Sequence, residues 1–588
     1  MSNWNLKLIY ENDEAFYADL EKITELCEQV KNFQGKLHNF EDFKNYLLLD
    51  KEIDLLLNKV YQYTHLAFDL NMKDPDLAAR MQQINILINK LSQDSSYINP
   101  EIISIGQEKI MSFIESDEEI KEYKFPFIKL FKNEERVFSD KIEKIISTYK
   151  EVAGPLGQLY SNLAVADASG KEFTDSEGNT HLVNSGTYTL LLQKLSNQSD
   201  RKKAFETMYE YYDSHKNTFA GIYSSILRND WANARVRNYS SSLESYLDRN
   251  NIPVSVYESL INTVRENTHV LKRYINLRKK FFKLDEYHTY DRLLDFVKND
   301  KEYEFEEAKK IFFESIKVMP EEFIKKQHMA VEDGYVDVYY KEGKRSGAYS
   351  SSTHNVRPFI LLNHNKSLDS VFTLAHEAGH SGHSLFSCEN QPQAISRYTI
   401  FVAEIASTFN EHLLLDHLIK TQTNVNEKIE TLANAIDGIT STFFRQTLFA
   451  NYEYLAHKLI EDNKPVTEKD LSNIMIELYK DYYGIDLSTE ELKKYVWAYI
   501  PHFFYTPFYV YQYATCYAAS SKIFKDIKNN VPNALENYLT LLKSGGNDYP
   551  INQCLKAGVD LTKPDAFLAV IERFNGLVDE LEHTLDNL

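Results

Sequence analysis

Val371–His380, VFTLAHEAGH, contains His376-Glu377-Ala378-Gly379-His380. On a helix, positions i and i+4 share one face, so both imidazoles converge on a single ion. Glu377 follows the first ligand and reaches a water on that ion rather than the ion itself. The flanks favour a helix: Ser367 or Asp369 can cap its start, and Val371, Leu374, Ala375 and Ala378 supply an apolar stripe. Gly379 costs such a helix about 1 kcal/mol relative to Ala, and the sequence offers no reason for it.

A third ligand is required. A metzincin places a histidine six residues after the second ligand, where this chain has Phe386, and the nearby His383 lacks the chain bend of that motif. That class is excluded. The alternative is a carboxylate from a second helix. Tyr398–Leu415, YTIFVAEIASTFNEHLLL, is strongly helical, and Glu404 lies among Phe401, Val402, Ile405 and Ala406. A glutamate with such neighbours is costly to bury unless it is paired or coordinates a metal. His376, His380 and Glu404 are therefore the expected ligands, with the fourth position open for water as in catalytic His₂Glu zinc sites. One Zn²⁺ per chain is expected, with manganese or cobalt as substitutes. Glu411, on the same face seven residues later, is placed to accept the second ring N–H of a ligand histidine.

Upstream, Gly334–Asn365 interrupts the helical pattern. Val336 and Val338 alternate with polar neighbours, a turn follows at Lys341–Lys344, and Pro358–Asn363 reads as a strand. A small sheet of two or three strands is expected beside the motif helix, and an edge strand there suits an extended peptide. Farther back, Ala166–Tyr188 is turn-rich and reads as a β-hairpin. Residues 1 to about 165 read as successive amphipathic helices, as in Leu47–Leu49 through Ile53, Leu56 and Val60, with breaks at Pro100, Pro126 and Pro155. A soft boundary falls near residue 195.

Composition agrees with a mainly α chain. Nineteen Gly and 14 Pro in 588 residues leave few tight turns, which excludes an all-β sandwich or barrel. A net charge of −20 argues against duplex nucleic acid as a partner. Met1–Tyr10 lacks the basic and apolar regions of a signal peptide, and purely apolar runs reach only about six residues, too short for a membrane span. Cys27, Cys388, Cys516 and Cys554 are scattered, which suits a reducing cytoplasm.

A last cluster lies at Trp497–Tyr517, WAYIPHFFYTPFYVYQYATCY, with His502 and Tyr505, Tyr509, Tyr511, Tyr513 and Tyr517. Such density is mostly aromatic packing. Peptide hydrolysis also needs donors for the oxyanion of the tetrahedral intermediate, and His N–H or Tyr O–H can serve.

Together, TLAHEAGHSGHS (Thr373–Ser384), FVAEIASTFNE (Phe401–Glu411), HFFYTPFYVYQYAT (His502–Thr515) and LLKSGGNDYPINQCLKAGVDL (Leu541–Leu561) resemble the thimet-oligopeptidase-like zinc metallopeptidases and, within them, the oligoendopeptidase F group. The resemblance covers roughly residues 195–580 well and the N-terminal part more loosely. It implies a mostly helical ellipsoid with a deep internal channel, an N-terminal helical lid over residues 1–195 and a catalytic part over 196–588. It also implies that His376, His380 and Glu404 bind zinc, Glu377 is the general base, Glu411 supports the site, and His502 lies near the scissile carbonyl. Tyr509 and Tyr505 are the first choices for the transition-state tyrosine, with Tyr511 a third that is also placed at the substrate. Gly347–Thr353, GAYSSST, takes the place of the substrate-flanking strand, with Gly347 and Ser350 as substrate contacts and Ser352 where the group usually has glycine.

The expected function is a cytoplasmic zinc oligoendopeptidase acting on short unstructured peptides. Its alternatives are a related helical zinc carboxypeptidase or dipeptidyl carboxypeptidase, and a helical interaction protein with a non-catalytic zinc site. Glu377 speaks against the last, because a purely structural site needs no base.

Overall fold

The structure is a computed structural model that describes residues 3–132, 134–136, 138, 142, 145, 146, 148 and 155–587. The described residues are mainly helical, with one two-stranded and one three-stranded sheet. No helix among them is long and apolar enough to cross a membrane. The chain divides into two compact units, each assembled from three stretches. The first unit is Met1–Arg136, Lys301–Leu418 and Ile523–Gly558; the second is Val137–Asp300, Ile419–Lys522 and Val559–Leu588. A cut at residue 195 falls inside the second unit.

In the first unit, Leu47–Leu49, Ile53, Leu56 and Val60 lie on a single helix, α1 (Phe40–Leu70). It runs unbroken for 31 residues because no Gly or Pro interrupts it, and the Asn39 side chain caps its start. Pro100, Pro126 and Pro155 each sit in the first turn of a helix (Ile98–Ile105, Lys124–Lys132 and Pro155–Ser161), where the missing N–H has no intrahelical acceptor. The apolar faces of the N-terminal helices share one core with Val356, Phe359 and Leu361. These three residues belong to the expected sheet.

After α2 (Glu321–Ala330), that sheet comprises β1 (Val336–Asp337), β2 (Tyr349–Thr353) and β3 (Val356–Leu361) in the order β1-β3-β2. β1 is parallel and β2 antiparallel to β3. Pro358 lies on the central strand, a position normally closed to proline, and is tolerated because the β2–β3 ladder is irregular between Ser351 and Thr353. The Trp4 indole N–H donates to the carbonyls of Ile360 (2.8 Å) and Tyr335 (3.1 Å), pinning the start of the chain to this sheet. Buried Lys344 pairs with Asp337 at 2.7 Å and closes the turn before β2. Two long helices follow, α3 (Leu368–Asn390) and α4 (Ile400–Thr421), and α3 packs on β2, β3 and α2.

In the second unit the turn-rich stretch forms the expected hairpin, Lys171–Thr174 against Thr180–Val183. The aromatic cluster is broken into the short helices Val496–Tyr499 and His502–Tyr505, and a longer helix begins at Tyr511. Between them Phe508 adopts a positive φ of 54°. Its N–H donates to the buried Glu453 carboxylate at 2.8 Å, which holds this sparsely populated backbone conformation.

Candidate active site

The Ser367 hydroxyl caps α3 by accepting from Ser370 N–H, and Asp369 lies in the first turn. One face of α3 then meets α4 closely enough to explain Gly379. A Cβ at this position would lie 2.6 Å from both the Ala406 carbonyl oxygen and the Ser407 Cα. Helix propensity is sacrificed there so that two backbones can touch. The Asn410 amide reinforces the contact by donating to the Ala375 carbonyl (2.9 Å) and to Gln327 of α2 (3.0 Å). Gly382 leaves room for the same Gln327 side chain. This clamp of Gln327, Asn410 and two glycines has no sequence signature, since each residue is meaningful only against its partner helix.

The close approach brings three ligand-type atoms together. His376 Nε2 and His380 Nε2 are 3.2 Å apart, and Glu404 Oε2 lies 3.3 Å from the first and 3.4 Å from the second. An ion bound tetrahedrally at about 2.0–2.1 Å needs donor atoms roughly 3.3–3.4 Å apart, so this triangle fits zinc without rearrangement. Glu411 Oε1 lies 2.6 Å from His376 Nδ1. That ring nitrogen donates to Glu411, which leaves the Nε2 lone pair directed at the triangle. The Ser407 hydroxyl donates to Glu404 Oε2 at 2.9 Å and fixes the carboxylate; Ser407 is invisible to spacing rules because a serine on a helix normally means nothing.

Electrostatics follow the same geometry. Burial opposes charge on His376, but hydrogen bonds to Glu404 and Glu411 outweigh it and hold the imidazole well above its ordinary range. Burial likewise raises the Glu404 carboxyl, and His376 and His380 override it and hold the group well below its usual range. Glu377 is 6% exposed, and its Oε2 has no hydrogen-bond partner among the described residues. Burial raises its pKa, against the pull of His376 and His380. A raised carboxyl beside the triangle has the character of a proton acceptor.

The other expected residues are placed as follows. β2 is an edge strand, and the Ser350 hydroxyl lies 2.8 Å from that of Ser381, one residue after His380 on α3. Gly347, at φ 81°, precedes β2, and its carbonyl accepts from the Asn363 amide at 2.7 Å. In the second unit, His502 lies parallel to Tyr509 (5.9 Å between centroids, 4°) and edge-on to Tyr513 (6.1 Å). Burial lowers the His502 pKa, favouring the neutral ring. Tyr505 is brought elsewhere: its hydroxyl lies 2.5 Å from Ser161 Oγ and its ring packs edge-on to Tyr160. Tyr511 is a core side chain against Tyr257. Of the tyrosines singled out in sequence, Tyr509 alone stacks on His502, and Tyr513 joins it.

Comparison with known proteins gives the family. Residues 191–573 match the family model "Peptidase family M3", and residues 101–169 match "Oligopeptidase F". The chain is 34% identical to oligopeptidase PepF of Bacillus subtilis, across 99% of this chain and 87% of that protein. It is 36% identical to an oligoendopeptidase F homolog of Borreliella burgdorferi, across 98% and 97% of the two chains. The crystal structure of oligoendopeptidase-F from Enterococcus faecium superposes with a TM-score of 0.75 at 29% identity, covering 98% of this chain and 100% of that one. By these matches the chain belongs to peptidase family M3, among the oligoendopeptidase F metallopeptidases.

Proposed function

We propose that the protein is a zinc-dependent oligoendopeptidase that hydrolyses internal bonds of short, unstructured peptides in the cytoplasm. The observation carrying this reading is the triangle of His376 Nε2, His380 Nε2 and Glu404 Oε2, with edges of 3.2–3.4 Å, beside the unpartnered carboxylate oxygen of Glu377. Those three atoms would hold one zinc ion, which when bound supplies Lewis acidity toward a water molecule and a peptide carbonyl.

The chain's own groups do the rest. A Glu377 carboxylate oxygen takes a proton from the attacking water and passes it to the leaving amine. Glu411 holds the His376 ring by accepting its Nδ1–H, and Ser407 holds the Glu404 carboxylate. His502 and Tyr509 are the proposed donors to the oxyanion. β2, with Gly347 and Ser350, is proposed to receive the peptide as an added strand, and residues 1–195 to lid the catalytic part.

The test is cleavage of peptides blocked at both ends, alongside metal analysis of the purified protein. Internal cleavage that stops on chelation and returns with one equivalent of zinc is the expected result. An absolute need for a free C-terminus would replace this reading with a carboxypeptidase.

A further inference from the structure

A second convergence of charged groups lies within the second unit. Lys493 is 8% exposed, and its ammonium donates to the Tyr209 hydroxyl at 2.9 Å. It lies 4.9 Å from the centroid of the Tyr209 ring and 5.8 Å from that of Tyr479. Arg292 and Arg445 are within electrostatic reach of it and of each other. Both arginines are half-buried, and neither side chain makes a hydrogen bond or an ion pair among the described residues. Arg292 Nη1 and Arg445 Nε are shut off from solvent with no acceptor. Tyr188, Tyr479, Tyr483 and Tyr499 share this surrounding.

The acid within reach of Lys493 is Glu490, and it is engaged elsewhere: it accepts from Thr289 N–H (2.9 Å) and from the Thr289 hydroxyl (2.5 Å). Asp291 and Asp437 are likewise engaged, with Arg201 at 2.8 Å and Arg278 at 3.6 Å. The carboxylates that face these three cations, Glu490 and Asp437, are therefore already occupied. Burial, then Arg292, pulls the Lys493 ammonium down to about 7, and burial with Arg292 lowers Arg445. Buried guanidinium N–H groups without acceptors are costly, and their planar forks suit an anion.

We propose that Arg292, Arg445 and Lys493 form a binding site for a small anion, a carboxylate or an inorganic anion, enclosed by tyrosine rings. The half-exposed Arg292, Arg445, Tyr483 and Tyr499 give solvent access to it. Two sources share this chemistry, a free anion from solvent and the terminal carboxylate of a bound peptide.

The thermal midpoint of the full chain in sodium chloride or acetate is compared with that in a bulky sulfonate at equal ionic strength. At a hundredfold excess over Kd, the site predicts a rise of roughly 2 °C for a chain of this size. Arg292→Gln and Arg445→Gln lose that rise, and in the bulky sulfonate melt no lower than wild type, because a repulsive buried charge is gone. An equal response of wild type and both variants overturns the site. Wild-type crystals soaked in bromide decide independently of whether the variants fold: an anomalous peak among the three cations supports the site, and its absence removes it. A peptide with a free C-terminus that raises the midpoint of Glu377→Gln, where its amide does not, assigns the substrate carboxylate as the source. A response to acetate and chloride alone assigns solvent anions.

Discussion

The triangle of His376, His380 and Glu404 and the cluster of Arg292, Arg445 and Lys493 present opposite charges for opposite reasons. In the first, lone pairs converge at 3.2–3.4 Å, an arrangement that a cation stabilises. In the second, N–H donors gather without acceptors, an arrangement that an anion stabilises. Their surroundings differ as much as their signs. Two of the three ligand groups are braced and the helices are fitted together: Glu411 fixes the His376 ring, Ser407 fixes the Glu404 carboxylate, and Gly379 lets the two helices meet. At the cationic cluster, among the described residues, the Lys493 ammonium donates to a tyrosine hydroxyl and the arginine side chains have no hydrogen-bond partner. Geometry built to tenths of an ångström suits a metal and its chemistry, whereas loosely braced charge suits a ligand that is held without reacting.

The strongest way to break this contrast is to neutralise the buried carboxylate beside the triangle, whose Oε2 has no hydrogen-bond partner among the described residues. Glu377→Gln is expected to lower peptide hydrolysis by about 10²–10⁴-fold while zinc content, measured by metal analysis, stays at one per chain. Wild-type turnover by this variant would leave the metal site as a structural feature and nothing more. Glu411→Gln comes next. The neutral amide is a poorer acceptor for His376 Nδ1–H, and chelator competition should show zinc bound about 10–100-fold more weakly. Unchanged affinity would mean that the ring is oriented by packing alone.

Gly379→Ala sharpens the comparison through stability. The substitution gains about 1 kcal/mol of helix propensity, but its Cβ would meet backbone atoms at 2.6 Å. Overpacking of that kind costs about 1–3 kcal/mol. A net fall in thermal midpoint with weakened zinc affinity is expected, because α3 and α4 each carry ligands. A stabilised variant with full zinc affinity would show that the helices can part without disturbing the triangle.

The two regions also differ in how legible they were. His376, Glu377 and His380 stand within one turn and a half of helix, and Glu404 betrayed itself as an acid among Phe401, Val402 and Ile405, so local spacing and burial cost were enough. The sheet and hairpin were likewise marked by local turn residues. Gly379 looked only like a defect, since the backbone that requires it lies 27 residues on, at Ala406. Tyr505 and Tyr509 could not be ranked, because the irregular chain between the helices ending at Tyr505 and starting at Tyr511, with Phe508 at positive φ, decides which ring stacks on His502. The cationic cluster left no trace at all. Its members at 292, 445 and 493 are ordinary surface-type residues until the fold gathers them, and the same is true of compact units stitched from separated stretches.

The smallest effect concerns a third histidine on α3, one turn past the ligands. His383 is 1% exposed, lies flat on Tyr398 (3.6 Å between centroids, 6°), and has no hydrogen-bond partner at either ring nitrogen among the described residues. Burial, with a lesser contribution from His380, lowers its pKa to about 3, against about 6.5 in an unfolded chain. Between those values the unfolded state binds a proton that the folded state refuses, so stability falls as pH drops, by about 1.4 kcal/mol per pH unit from this group. His383→Phe keeps the stacked ring and removes the proton. The variant should match wild type at pH 8 and lose less stability than wild type at pH 5, measured by denaturant midpoints at both. Zinc release in acid affects both proteins and cancels in the difference. Parallel pH profiles would mean that the His383 ring reaches solvent or a partner before it titrates, and would place it with the braced histidines instead of apart from them.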